Sequence, residues 1–290
     1  MHLSTIYQNN NFVLSYELFP PKTEQGLINL DAHLSKLLAY NPHFITCTYG
    51  AGGSTRDRTL TTLKAVRSLT DIPIASHLTC VQATADEIQT YVQKAVDLGV
   101  SNIVAIRGDI PQSQESFEVT EGGFAYANEL VGFLHQQFPE LGIAVGGYPE
   151  KHPEAVSLEE DIDYLKQKVD AGADIIVTQL FYNNDAFYRY RDKCVAAGIS
   201  ISIVPGIMPV TSFKQITRLT ELSGSTLPEN VTHELEQHQV DADAQFNIGM
   251  NFAIEQCRDL IKQGVPGLHF YVLNKSEATT TVLKALHPLY

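Results

Sequence analysis

The chain has 290 residues, 44% of them hydrophobic, with 20 basic and 33 acidic side chains for a formal charge of -13. That surplus repels nucleic acid and anionic membrane surfaces, and no apolar stretch approaches the roughly 20 residues of a spanning helix, so neither partner is expected. The start, MHLSTIYQNNNF, has neither a basic n-region nor an apolar h-region, so no secretory signal is expected. Cys47, Cys80, Cys194 and Cys257 lie far apart without a CxxC and read as buried free thiols, so a soluble cytoplasmic protein is expected.

Eight apolar runs follow in order, each read as a strand that stops on a polar or ionisable residue before a helical pattern. The run at 13–19 puts Val13, Ser15, Glu17 and Phe19 on one face and Leu14, Tyr16 and Leu18 on the other. A helix is predicted over 31–40, with Leu30, Leu34, Leu37 and Leu38 at helical spacing. The strand at 43–49 ends on Thr48 and Tyr49 and enters the glycine-rich YGAGGST. The strand at 74–78 carries His77, and Thr84-Ala85-Asp86-Glu87 reads as a capping box. The strand at 102–106 stops on Arg107-Gly108-Asp109, followed by a polar loop at 112–123. The strand at 142–146 leads to Tyr148 and His152, and a helix from Ser157 to Ala171 stops at Gly172, an ending repeated at Gly99 and Gly198. The strands at 175–178, 201–204 and 267–272 end on Gln179, on Pro205-Gly206, and on Asn274 and Lys275, with an extra helical excursion at 226–245. This alternation, with no dividing linker, predicts an α/β fold: one (β/α)8 TIM barrel over 1–290, whose site is built at the C-terminal strand ends.

Glu17 is the sharpest signal. A carboxyl among apolar residues near a strand end is expected to have its pKa raised by desolvation, which suits a general acid. The alternative is a buried salt bridge to a lysine or arginine, and Pro20-Pro21 would fix the strand exit in either case. Arg107 suits a phosphate or a planar electron-rich partner, and Asp109 a donor-rich heterocycle, against a plain surface ion pair. YGAGGST reads as a phosphate cradle or merely a tight turn, without P-loop or GxGxxG spacing. His77 reads as a pocket residue or a structural histidine, with no metal-ligand spacing around it or His152. Gln179 reads as a ligand-binding amide, against a hydrogen bond to a neighbouring loop. These residues also leave open a metal-independent barrel lyase acting on a phosphorylated substrate, or a binding protein without activity.

SYELFPPKT at 15–23, TYGAGGSTRDRT at 48–59, HLTC at 77–80, IVAIRGD at 103–109, YPEKHPEA at 148–155, KVDAGAD at 168–174, TQLFY at 178–182, PGIMPV at 205–210 and HFYVLNKSE at 269–277 together resemble the methylenetetrahydrofolate reductase family over almost the whole chain. The resemblance implies an FAD-binding barrel without a Rossmann unit. It implies reduction of 5,10-methylenetetrahydrofolate to 5-methyltetrahydrofolate by NADH or NADPH through flavin, and a homo-oligomer. A regulatory domain that follows the barrel in eukaryotic members is not expected here. By the same resemblance Glu17 is the acid and Asp109 the carboxylate beside flavin and pterin. Gln179, Gln215 and Lys275 match folate contacts, Gln179 also a nicotinamide contact. Thr48, Tyr49, Ala51, His77, Arg107, Gly108, Asp109, Ala127, Tyr148, His152, Ala155, Asp161 and Lys168 match FAD-contacting positions. Lys275 stands where the family has arginine, Tyr164 and Gln167 where relatives often have Asn and Arg, and Leu219 where an aromatic residue is expected.

Overall fold

A computed structural model describes residues 1–49, 56–109 and 118–288. In chain order it contains α1 (Leu3–Asn9), β1 (Val13–Leu18), α2 (Glu24–Leu38), β2 (Phe44–Cys47), α3 (Arg56–Leu69), β3 (Ile74–Thr79), α4 (Ala85–Asp97), β4 (Asn102–Ile106), α5 (Ala127–Gln137), β5 (Gly142–Gly147), α6 (Leu158–Asp170), β6 (Ile175–Thr178) and α7 (Asn184–Ala196). Then come β7 (Ser202–Val204), β8 (Gly206–Ile207), α8 (Phe213–Ser223), α9 (Glu229–Gln237), α10 (Ala242–Lys262), β9 (Gly267–Tyr271) and α11 (Glu277–Leu286).

Every strand pair is parallel, in the order β7-β6-β5-β4-β3-β2-β1-β9-β8. β7 and β8 are halves of one strand. Pro205 between them has no N–H for the ladder, so β7 pairs with β6 while β8 crosses to β9. The Thr178 hydroxyl accepts from Gly206 N–H at 3.0 Å, and Pro205 C=O accepts from His269 N–H at 3.1 Å. The predicted eight-stranded (β/α)8 barrel is therefore closed, with its seventh strand broken in two.

Alternation along β1 decides what faces what. Leu14, Tyr16 and Leu18 face outward into the main core beneath the helices. Val13 points inward and packs with Phe44, Ala75, Val104, Ala144 and Ile175 at the barrel floor. Leu3 and Ile6 of α1 close that floor, both buried. Buried Asn102 docks α1, accepting from Leu3 N–H at 2.9 Å and donating to Met1 C=O at 3.1 Å. This plug escapes the periodicity reading because its seven residues make barely two turns. α2 also begins earlier than predicted, at Glu24, capped by Thr23. The capping box at Thr84 and Glu87 is present, and the excursion at 226–245 contains α9 and the start of α10. All four cysteines are free and buried. No helix among the described residues is long and apolar enough to cross a membrane.

Candidate functional site

Above the apolar floor the barrel opens into a cavity of about 500 Å³ at its C-terminal end. Glu17, Thr48, Tyr49, His77, Arg107, Gly108, Asp109, Tyr148, His152 and Gln179 all line it. A second cavity of about 630 Å³ runs outward between α5 and α6, lined by Ala127, Ala155, Asp161 and Lys168. The two share Ile106, Arg107, Gly146, Tyr148 and His152 as a waist. Gln215 and Lys275 stand apart, in a third cavity of about 280 Å³ that meets the first at Met208 and Tyr271. Of the predicted site residues, only Ala51 lies outside the described residues, as do the rest of the glycine-rich turn beyond Tyr49 and positions 112–117 of the polar loop. Thr48 and Tyr49 follow β2 instead of ending it.

Glu17 departs from expectation. Its inward position on β1 brings Oε2 within 3.2 Å of His77 Nε2 and 3.7 Å of His269 Nε2. Burial alone would raise its pKa, but the His77 charge, hydrogen bonds from His269 and His77, and the His269 charge outweigh it and hold the carboxyl at about 2. The expected upward shift is thus reversed, and the partners are two histidines, not a lysine or arginine. His77 Nε2 also lies 3.4 Å from Thr46 Oγ1. His269 is almost wholly buried, with Nδ1 2.8 Å from Ser15 Oγ. Sequence reasoning passed over His269 within HFYVLNKSE. Its inward phase with Tyr271 was the available signal, the same one that marked Glu17.

Arg107 is bidentate to Glu154, Nη1 to Oε2 and Nη2 to Oε1, both at 2.7 Å, and its Nε donates to Gly108 C=O at 3.3 Å. The ion-pair reading of Arg107 is therefore present, but at the waist of the site. Gly108, at φ 92, holds a left-handed turn, and a Cβ there would meet Thr79 Cβ at 2.9 Å. Lys168 donates to Gly146 C=O at 2.8 Å, and desolvation lowers its pKa to about 8 against the raising effect of Asp161. Asp161 accepts from His152 N–H at 3.0 Å, and desolvation raises its carboxyl. Tyr148 meets the His152 ring edge-on at 4.6 Å. Gln179 Oε1 accepts from Leu180 N–H at 2.9 Å, and Gln215 Oε1 from Thr211 Oγ1 at 2.6 Å. Exposed Lys275 follows Asn274, whose amide grips Phe19 on both sides, accepting from its N–H at 3.0 Å and donating to its C=O at 2.7 Å.

The family model described as methylenetetrahydrofolate reductase matches residues 2–287. The chain belongs to the methylenetetrahydrofolate reductase family. Methylenetetrahydrofolate reductase (NADH) 1 of Arabidopsis thaliana is 36% identical over 98% of this chain, which spans 50% of that relative's length. The 5,10-methylenetetrahydrofolate reductase of Salmonella typhimurium is 37% identical over 94% of this chain and 90% of its own. The fold is shared with an uncharacterized Clostridium thermocellum protein that binds two copies of 5-methyl-5,6,7,8-tetrahydrofolic acid. That structure has a TM-score of 0.67 at 14% identity and covers 98% of both chains.

Against this membership, the joined cavities have room for a long ligand, and the second is lined by Glu154, Glu160 and Asp161 as well as by cations. Two cations, Arg107 and Lys168, stand along the second cavity. At the waist a Cβ on Gly146 would meet nothing nearer than Tyr148 at 4.0 Å, so glycine keeps that floor clear. Buried Thr79 Oγ1, on a residue lining the first cavity, has no hydrogen-bond partner. The departures fall on the same surfaces: Leu219 lines the first cavity, and Tyr164 and Gln167 the second.

Proposed function

We propose that this chain reduces 5,10-methylenetetrahydrofolate to 5-methyltetrahydrofolate, with FAD along the two joined cavities and NADH or NADPH as electron source. The observation that carries the reading is the meeting of an inward carboxylate, Glu17, with a long cavity that holds two cations near its waist. FAD, when bound, supplies the hydride relay between nicotinamide and the one-carbon unit.

In this reading Arg107 and Lys168 neutralise the diphosphate, and Ala127 and Ala155 leave room for the adenosine end. Asp161 fixes the His152 backbone at the waist. Thr48, Tyr49, His77 and Gly108 border the ring system, where the unpaired Thr79 hydroxyl gains a partner. Asp109 accepts from the N–H donors of the pterin. Gln179 holds first nicotinamide, then folate, and Gln215 with Lys275 reaches the folate tail, Lys275 as a point charge. Glu17 delivers the proton that opens the five-membered folate ring to an iminium ion.

Purified protein given FAD should be yellow. NADH or NADPH should bleach it, and 5,10-methylenetetrahydrofolate should restore the colour with release of 5-methyltetrahydrofolate. Failure to take up FAD, or reduced flavin inert toward the folate, overturns the reading.

A further inference from the structure

Among the described residues, the second cavity is lined by two cations, Arg107 and Lys168, and by three acidic side chains, Glu154, Glu160 and Asp161. A diphosphate drawn to the cations must also meet the acids. Two of the three hold backbone groups. Glu160 accepts from Val156 N–H at 2.7 Å, and Asp161 from His152 N–H at 3.0 Å. Glu154 differs. Its carboxylate commits both oxygens to the end of the Arg107 fork, each at 2.7 Å, and bonds no other described residue. Its side chain is 51% exposed, against 21% for Arg107, so it can turn out into water without leaving a buried gap. The loop joining β5 to α6 meanwhile fixes the backbone beneath it. Lys151, at φ 78, donates to the carbonyls of His152 at 3.1 Å and Ala155 at 2.5 Å, and Glu154 N–H donates to His152 Nδ1 at 3.1 Å. Only side-chain torsions need change for the Glu154 carboxylate to leave. The hydrogen bonds from Arg107 hold that carboxyl below its usual range, so it stands there as an anion. A guanidinium fork that takes a carboxylate end-on is equally shaped for a phosphate, and its end N–H groups cannot serve both at once.

We propose that Glu154 is a resident stand-in for phosphate: it holds the Arg107 fork until the cofactor diphosphate enters, then turns out into water, and so sets how tightly the cofactor is bound. This rests on the reading of FAD along the joined cavities. The exchange swaps one anion for another at a single cation, with no covalent bond made or broken. Two consequences follow from it. Arg107 keeps a counter-charge before the cofactor arrives, so the waist of the site stays formed. Cofactor affinity is lowered by the fraction of molecules in which Glu154 closes the fork. Glu160 and Asp161 cannot take the same part, because turning either one outward would strand the backbone N–H it now accepts from.

The test titrates flavin-free wild-type protein, Glu154→Gln and Glu154→Ala with FAD, ADP and riboflavin, by calorimetry and, for the flavins, by fluorescence. FAD and ADP carry the diphosphate, and riboflavin carries the ring system alone. If Glu154 closes the fork in about nine molecules of ten, its loss should tighten FAD and ADP by about tenfold and leave riboflavin unchanged. Glu154→Gln keeps the length of the side chain without its charge. Glu154→Ala also removes any bond that a glutamine amide could make to Arg107, so its affinities decide. FAD and ADP bound no tighter by Glu154→Ala than by wild type, or riboflavin gaining as much as they do, overturns the proposal. So does a structure with FAD bound in which Glu154 still takes both Arg107 Nη atoms. Wild-type protein that takes up none of the three ligands removes the functional reading itself, and this exchange with it.

Discussion

The Glu17 carboxylate is ionised because two imidazoles outweigh its loss of water. The sign of its stability contribution follows. A carboxyl lowered from 4.5 to about 2 stabilises the folded state fully above pH 4.5, and this is lost as pH falls toward 2. In Glu17→Gln, urea unfolding should therefore show a shallower acid limb in that window, and an unchanged limb would refute the histidine clamp. The same variant should reduce flavin with nicotinamide but lose folate reduction by about a hundredfold or more. Lys168 has the opposite sign. Its pKa is lowered from 10.5 to about 8, so the unfolded chain binds the extra proton and stability rises with pH between those values. Lys168→Met should abolish that rise and weaken FAD binding by about 1.5–3 kcal/mol, the worth of a hydrogen bond to a charged group. Titration calorimetry with undiminished affinity would remove Lys168 from the diphosphate site.

At the scale of elements, the loop after β9 is welded to the end of β1. Asn274 sits at φ 55 and bonds both backbone groups of Phe19, so it controls where the strand carrying Glu17 ends. Asn274→Ala loses these bonds and forces alanine into the left-handed region, whereas Asn274→Gly loses the bonds alone. Both variants should raise KM for the folate, and the alanine form should be less stable by about 1 kcal/mol more. Equal stability of the two would show that the backbone relaxes. Much here was legible beforehand: Glu17 stands inside the apolar run at 13–19, Arg107 and Gln179 follow the runs at 102–106 and 175–178, and Thr84 with Glu87 announces its helix. Other parts were not. Glu154 reads as an ordinary surface charge, and only three-dimensional closure brings it to Arg107. The direction of the Glu17 shift depends on His77 and His269, on strands far from β1 in sequence, so no local pattern around Glu17 reveals it.

For the molecule as a whole, eight strand-and-helix units determine closure, and their count was readable because parallel strands buried on both faces are apolar throughout. The plug beneath them was not, since α1 is too short to show a period. Ile6 is 1% exposed at that floor. Ile6→Ala should cost about 2–5 kcal/mol by leaving a cavity among Val13, Phe44 and their neighbours. Chemical denaturation that shifts by less than about 1 kcal/mol would mean the floor collapses around the gap. A chamber with a stoppered base vents by the opening through which it fills. Two reactants that take the same chamber in turn exclude each other, so a large excess of one keeps the other out. Turnover should pass through a maximum and decline as either reactant is raised far above the other, where separate seats for the two would let it level off.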